Sequence, residues 1–212
     1  MNAPRVITLL GRPASINVRK VLWTCTELGL AVDLQPWGSG DLSLQAPEFL
    51  ALNPNAMVPV LLEGNSVLLE SNTICRYLAA CEGRADLLPT TPRKRAAVEQ
   101  WMDWQATELN NAWRYAFLSL VRHSAAHQDA AALATSVAQW NRHMAILDGQ
   151  LAHTGAYVTG AGFTLADVVL GLSAWRWSMT PMQRPDLPAV AAWQARLAGR
   201  EGYRLHGANG AP

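Results

Sequence analysis

From Pro92 onward the apolar residues of this 212-residue chain recur only at helical spacing, whereas before it alternating runs and helical runs take turns. This change of period constrains the fold most, because strand and helix patterns bury different faces and cannot exchange roles. Beyond Pro92 a 3.6-residue period over residues 93–122, carrying Trp101, Trp104, Glu108, Ala112 and Leu120, predicts one long helix. Leu133, Val137, Trp140, Met144, Leu147 and Leu151 step by fours and threes and predict a second. Thr164 and Asp167 have capping-box spacing ahead of Val168, Val169 and Leu172. Pro188 can open a last helix with Val190, Trp193 and Leu197 on its inner face.

The first part reads differently. Val6–Leu10 is a short apolar run stopped by Gly11, and Val18, Val21, Leu22, Cys25 and Leu28 follow at helical spacing up to Gly29. Val32 and Leu34 alternate with polar neighbours, as in a half-buried strand. After a short helical piece near Pro47–Leu52, apolar runs at 58–62 and 66–69 flank Glu63-Gly64-Asn65, a hairpin-type connection. Ile74, Tyr77, Leu78 and Cys81 give one more helix, ending at Gly83. The order β-α-β, then β-β-α, predicts a small α/β sheet with helices on it over residues 1–83. A linker at 84–91 and an all-helical domain at 92–205 follow, and HGANGAP, residues 206–212, is small and polar enough to be a disordered tail.

Composition removes several function classes. Half of the residues are hydrophobic and 16% are charged, as in a folded protein. The net charge of +1 divides as −2 over residues 1–83 and +3 over 84–212, and this mild asymmetry argues against nucleic-acid binding. Arg93-Lys94-Arg95 sits at a helix start and reads as a solvated helix end. No run approaches the ~20 apolar residues that cross a bilayer, and the N-terminus turns polar too soon for a signal peptide. Cys25, Cys75 and Cys81 lack C-x-x-C spacing and a histidine cluster, so a reducing cytoplasm and no metal are expected.

Three places could hold a ligand. Ser15 and Asn17 stand where the first helix begins; each can cap it, or donate to an anion such as a thiolate at the positive end of the helix dipole. Val58-Pro59 opens a strand; a trans proline there marks an edge, while a cis bond turns the Val58 backbone groups toward an extended ligand. Glu70-Ser71 precedes a helix; Ser71 can cap it, or the pair can take the ammonium and carboxylate of an α-amino acid.

In this order, on a β-α-β/β-β-α unit followed by helices, these motifs resemble the cytosolic glutathione transferase family, in its bacterial, theta-like branch. The resemblance spans residues 5–205 and is carried by ASINVRKVLW, NPNAMVPVL, LLESNTICRYLA, WMDWQATELN and GAYVTGAGFTLADVVLG. It implies a thioredoxin-like N-terminal domain that binds glutathione as co-substrate, and an all-α C-terminal domain that supplies the electrophile pocket. It assigns Ser15 to the glutathione sulfur, with Asn17 as second candidate. Val58 would pair with the cysteinyl unit, and Glu70 and Ser71 with the γ-glutamyl end. Arg12, Trp113 and Tyr115 would line the electrophile pocket, with Arg114 and Phe117 beside them. The resemblance further implies a homodimer, with Asp103 where some relatives reach toward the partner's glutathione.

Two departures stand out. Ala56 replaces the glycine of the usual N-P-x-G-x-V-P, and no Lys, Arg or His lies between Lys20 and Arg76 to bind the glycyl carboxylate, which leaves Trp37 or Gln45 as neutral donors. The expected activity is conjugation of glutathione to small electrophiles. Glutathione-dependent dehalogenation, isomerisation or peroxide reduction is the rival on the same fold, and a non-catalytic binding module is the reading that the missing cation favours.

Overall fold

The computed structural model describes residues 6–210; residues 1–5 of the expected first domain and 211–212 of the expected tail lie outside the described residues. β1 (Val6–Leu10), α1 (Ile16–Leu28) and β2 (Ala31–Gln35) form a parallel β-α-β unit, paired from Val6↔Ala31 to Leu10↔Gln35. α2 (Pro47–Leu52) leads to β3 (Val60–Glu63), β4 (Ser66–Leu68) and α3 (Ser71–Cys81). The sheet order is β2-β1-β3-β4, with β3 antiparallel to both neighbours. The third strand begins at Val60, two residues later than the apolar run, because Pro59 has no N–H to give a ladder. β4 runs in the direction of β1, so the end of β1, the start of β3 and the end of β4 share one end of the sheet. Ser15, Val58 and Glu70-Ser71 follow or precede these three ends.

The helical part holds a departure. α4 (Pro92–Trp104) passes through a π turn, Gln105–Leu109, into α5 (Asn110–Leu120), where the sequence period suggests a single α-helix. α6 (Ala130–Thr154) is capped by Asp129, whose carboxylate accepts from the Ala132 N–H at 2.7 Å. α7 (Leu165–Met179) starts at the expected capping box and is buried on nearly every side. Its Asp167 is fully buried and accepts from the backbone N–H groups of Val158 and Thr164 and from Trp193 Nε1, each at 2.9 Å. α8 (Pro188–Leu197) closes the bundle. Among the described residues, no helix is long and apolar enough to cross a membrane.

Trp23 joins the two parts. It lies fully buried on α1, with ring centroids 5.3 Å from Tyr203 and 6.0 Å from Phe163, and donates through Nε1 to Glu27. A Cβ added to Gly202 would stand 2.2 Å from its ring, and one on Gly171 of α7 2.9 Å. The linker is also packed: Leu87 and Leu88 are buried, and the Leu87 carbonyl accepts from the Leu165 N–H at 3.0 Å. The expectation of a disordered tail from residue 206 is corrected by a second π turn, Tyr203–Gly207. Arg19 of α1 is buried and donates to the backbone carbonyls of His206 and Gly207, and the His206 ring meets the Thr26 hydroxyl at 3.1 Å, so the turn is fastened to α1 through both backbone and side chain.

Candidate functional site

Gly11 sits where β1, α1 and the Val58 loop converge. Its N–H donates to the Gln35 carbonyl at 2.8 Å, and a Cβ there would meet Val18 at 2.4 Å and Val58 at 3.2 Å. Glycine is therefore required for the close approach. The chain turns at Arg12–Ser15 through a bond from the Ser15 N–H to the Arg12 carbonyl, 3.0 Å, and α1 begins. Ser15 occupies the capping position, but its side chain makes no capping hydrogen bond. The hydroxyl is half-buried and lines a cavity. Asn17, also half-buried, lies one residue inside the helix and is not among the residues lining that cavity.

The Val58–Pro59 peptide is cis, and Val58 is buried. The loop before it is held by Asn53, whose side chain donates to the Met57 carbonyl at 2.8 Å and accepts from the Asn55 N–H at 3.1 Å. Ala56 has φ +52°, so the residue that replaces glycine adopts a left-handed conformation. Glu70, at the start of α3, is exposed and also has a positive φ, +67°. Residues held in such regions gather at ligand sites. Ser71 beside it is buried at the helix start. For the glycyl carboxylate, Trp37 is engaged in ring contact with Phe49 at 5.2 Å, and Gln45 is exposed ahead of α2.

Beneath these loops runs a buried polar chain. Lys20 donates to Gln105 at 2.6 Å and to Asn72 at 3.2 Å, and Gln105 donates onward to Ser173 and Asn110. Burial pushes the Lys20 pKa down to about 8. Asn72 donates to the Met102 carbonyl at 2.7 Å, which ties the α3 start to α4. Asp103, by contrast, is paired with Arg76 of α3, and its side chain is mostly exposed.

The cavity has a volume of about 420 Å³. Its first-domain side is Arg12, Ala14, Ser15, Ile16 and Met57; its helical side includes Asn110, Trp113, Arg114, Phe117 and Arg122 of α5 and the turn after it. Arg12 and Trp113 are among the residues that line the cavity. Tyr115 is not: its hydroxyl accepts from the Asp129 N–H at 3.0 Å and its ring contacts His127 at 4.9 Å. Residues two apart on a helix lie on nearly opposite faces, so Trp113 and Tyr115 cannot share one wall. The residue missed altogether is Arg176 of α7, which reaches the cavity from the apolar centre of the bundle. Its neighbours in the chain are hydrophobic and give no sign of a ligand-facing charge. Burial, then Arg19 and Arg122, pushes its pKa down to about 9.

Such an arrangement leaves the Ser15 hydroxyl, unused by the cap, at the positive end of α1 beside the cavity, where it can donate to an anion. Among the described residues no group of three His, Cys, Asp or Glu side chains gathers to hold a metal. Cys25 and Cys75 are buried and Cys81 is exposed on α3.

A family model described as the glutathione S-transferase N-terminal domain matches residues 9–85, and one for the C-terminal domain of the same family matches residues 130–196. The chain is similar to glutathione S-transferase GstB of Escherichia coli strain K12, with 35% identity over 201 residues that cover 94% of this chain and 96% of that one. It is similar to glutathione S-transferase 3 of Zea mays, with 34% identity over 93% of this chain and 91% of that one. Among solved structures it is similar to the theta class glutathione S-transferase of Xanthomonas axonopodis pv. citri with glutathione bound: TM-score 0.87, 39% identity, 95% of this chain and 96% of that chain covered.

Proposed function

The chain belongs to the glutathione S-transferase family, and we propose that it stabilises the glutathione thiolate at the start of α1 and conjugates it to small electrophiles in the adjoining cavity. The observation that carries this reading is the Ser15 hydroxyl, which makes no capping bond and lines the cavity at the positive end of α1. A free thiol with pKa about 8.5 is only a few per cent ionised at neutral pH. Each unit by which a hydrogen bond and the helix dipole lower that value raises the thiolate fraction about tenfold. Ser15 is thus a donor to sulfur rather than a nucleophile, and Asn17 assists it. The backbone of Val58 pairs with the cysteinyl unit, Glu70 takes the γ-glutamyl ammonium, and Ser71 with the α3 start takes its carboxylate.

Residues 1–83 bind glutathione and residues 92–205 supply the wall that receives the electrophile. The protein works as a homodimer in the cytoplasm, in line with cysteines that form no disulfide. Calorimetric titration with glutathione, in buffers of different ionisation heat, tests the assignment. Wild type is expected to bind with proton release, and Ser15→Ala to bind with that release reduced. Absence of glutathione binding by the wild type refutes the reading. Unreduced release in a Ser15→Ala, Asn17→Ala double variant removes these two residues from it. Sedimentation velocity reads the dimer independently.

A further inference from the structure

Four arginines line the cavity beside Ser15, namely Arg12, Arg114, Arg122 and Arg176, and no carboxylate does. Among the described residues none of the four forms an ion pair. Arg12, Arg114 and Arg122 are exposed and solvated. Arg176 is only 3% exposed, and its Nε is buried without a hydrogen-bond partner. Its guanidinium lies over the rings of Phe117, at 4.0 Å, and Trp113, at 4.6 Å. The rings fix the plane of the cation and attract it, but they accept none of its N–H groups.

The other buried cations of the molecule are answered by acceptors. Arg19 has two backbone carbonyls and Lys20 has two side-chain amides. A buried charge without acceptors is costly, and a fork of N–H donors is matched by a planar oxyanion. The lowered pKa still leaves Arg176 charged at neutral pH.

We propose that the second substrate is an anionic electrophile, whose carboxylate or similar oxyanion is bound by Arg176 with Arg122 while its reactive carbon meets the thiolate at Ser15. This deepens the conjugation reading above and rests on it. For an aryl chloride, the sulfur forms a C–S bond, the C–Cl bond breaks, chloride leaves with the bonding pair, and the thiol proton passes to solvent.

The test compares 4-chloro-3,5-dinitrobenzoate with 4-chloro-3,5-dinitrobenzamide, which differ in charge and little in shape, at fixed glutathione and after subtraction of the uncatalysed rates. A charge-assisted pair predicts a kcat/KM preference for the carboxylate of about tenfold or more. In Arg176→Gln that preference is expected to disappear, and in the exposed variant Arg122→Gln to shrink, with circular dichroism confirming that both are folded. If Arg176→Gln fails to fold, Arg122→Gln alone decides, and an undiminished preference there overturns the proposal. Equal or better use of the amide by wild type also overturns it. So does a loss of glutathione affinity in Arg176→Gln, since the cation would then serve glutathione itself. Glutathione binding with no turnover of the carboxylate refutes the proposal alone, whereas no glutathione binding by wild type removes the conjugation reading with it.

Discussion

Gly202→Ala adds one methyl group at the joint between the two parts of the molecule. Its Cβ would lie 2.2 Å from Cδ1 and 2.7 Å from Nε1 of Trp23. Carbon atoms in contact rest at about 3.5–4.0 Å, so the overlap is roughly 1.3 Å or more. The indole has little freedom to retreat: Tyr203 and Phe163 pack on it, Gly171 closes its six-membered edge, and Nε1 is bonded to Glu27. Overpacking of this kind costs about 1–3 kcal/mol, and a hemmed-in ring puts the cost near ~3. Gly202 has helical backbone angles, so alanine returns about 1 kcal/mol through helix propensity. The net expectation is a loss of about 2 kcal/mol, or roughly 4–8 °C in melting temperature for a chain of this length.

Gly171→Ala is the internal comparison. Its Cβ would sit 2.9 Å from Trp23 and 3.0 Å from Leu197, an overlap of roughly 0.5 Å that is less than half of that at Gly202, and helix propensity offsets part of the strain. Its stability should stay within about 1 kcal/mol of wild type. Urea unfolding followed by far-ultraviolet circular dichroism reads both. A Gly202→Ala protein as stable as wild type, or a Gly171→Ala protein that is the worse of the two, refutes the packing account.

Three further outcomes follow from other parts of the molecule. Asp167→Ala strands the N–H groups of Val158, Thr164 and Trp193 in a buried place, so urea unfolding should show a loss of about 3 kcal/mol or more. Lys20 is less protonated in the folded chain than in the unfolded one at pH values above about 8, so its contribution to stability rises with pH. From pH 8 to 9 wild type should gain stability relative to Lys20→Met, because the buried Cys75 thiol, raised to about 11 and acting in the opposite sense from about pH 8.5 upward, is present in both proteins; a flat difference between the two titrations counts against this. Ala56→Gly relieves a left-handed alanine worth about 1–2 kcal/mol, offset by about 0.5–1 from the freer unfolded chain, for a net gain of roughly 0–1.5 kcal/mol; a measured loss of stability would show that φ +52° is not a strain there.

What the sequence reveals here is whatever is encoded by period, caps and local motif. The strands, the helix from Ser71, the capping box at Thr164 and the place of Val58-Pro59 all rest on neighbours within a few residues, and all are read directly. The π turn at Gln105–Leu109 escapes because one extra residue in a turn leaves the spacing of apolar residues close to 3.6. The tail escapes because two of its holds are on the carbonyls of residues 206 and 207, which every residue type carries, and because the partner of the His206 ring, Thr26, lies far away in the chain. Tyr115 misleads because composition marks it as a neighbour of Trp113, whereas helix geometry turns it away. Arg176 is illegible for a deeper reason: its significance lies in a buried Nε that meets aromatic rings and no acceptor, and that is a property of the packed chain rather than of the stretch LADVVLGLSAWRWSM.

The π turn has an evolutionary consequence. A residue in excess of α geometry rotates everything beyond it by about 100° around the helix axis. Before the rotation, Gln105 is locked into the buried chain with Lys20 and Ser173; after it, Asn110, Trp113, Arg114 and Phe117 reach the cavity. Ala106, Thr107 and Glu108 within the turn are exposed and anchor nothing in the core. Loss of a single codon there would wind the turn back into ordinary helix and swing the cavity wall by a quarter of a revolution, while the joint at Trp23 stayed as it is. The same rotation would also turn Ala112, Trp113, Ala116 and Phe117 out of their buried packing, so a one-residue indel at this point reshapes the cavity and the core together.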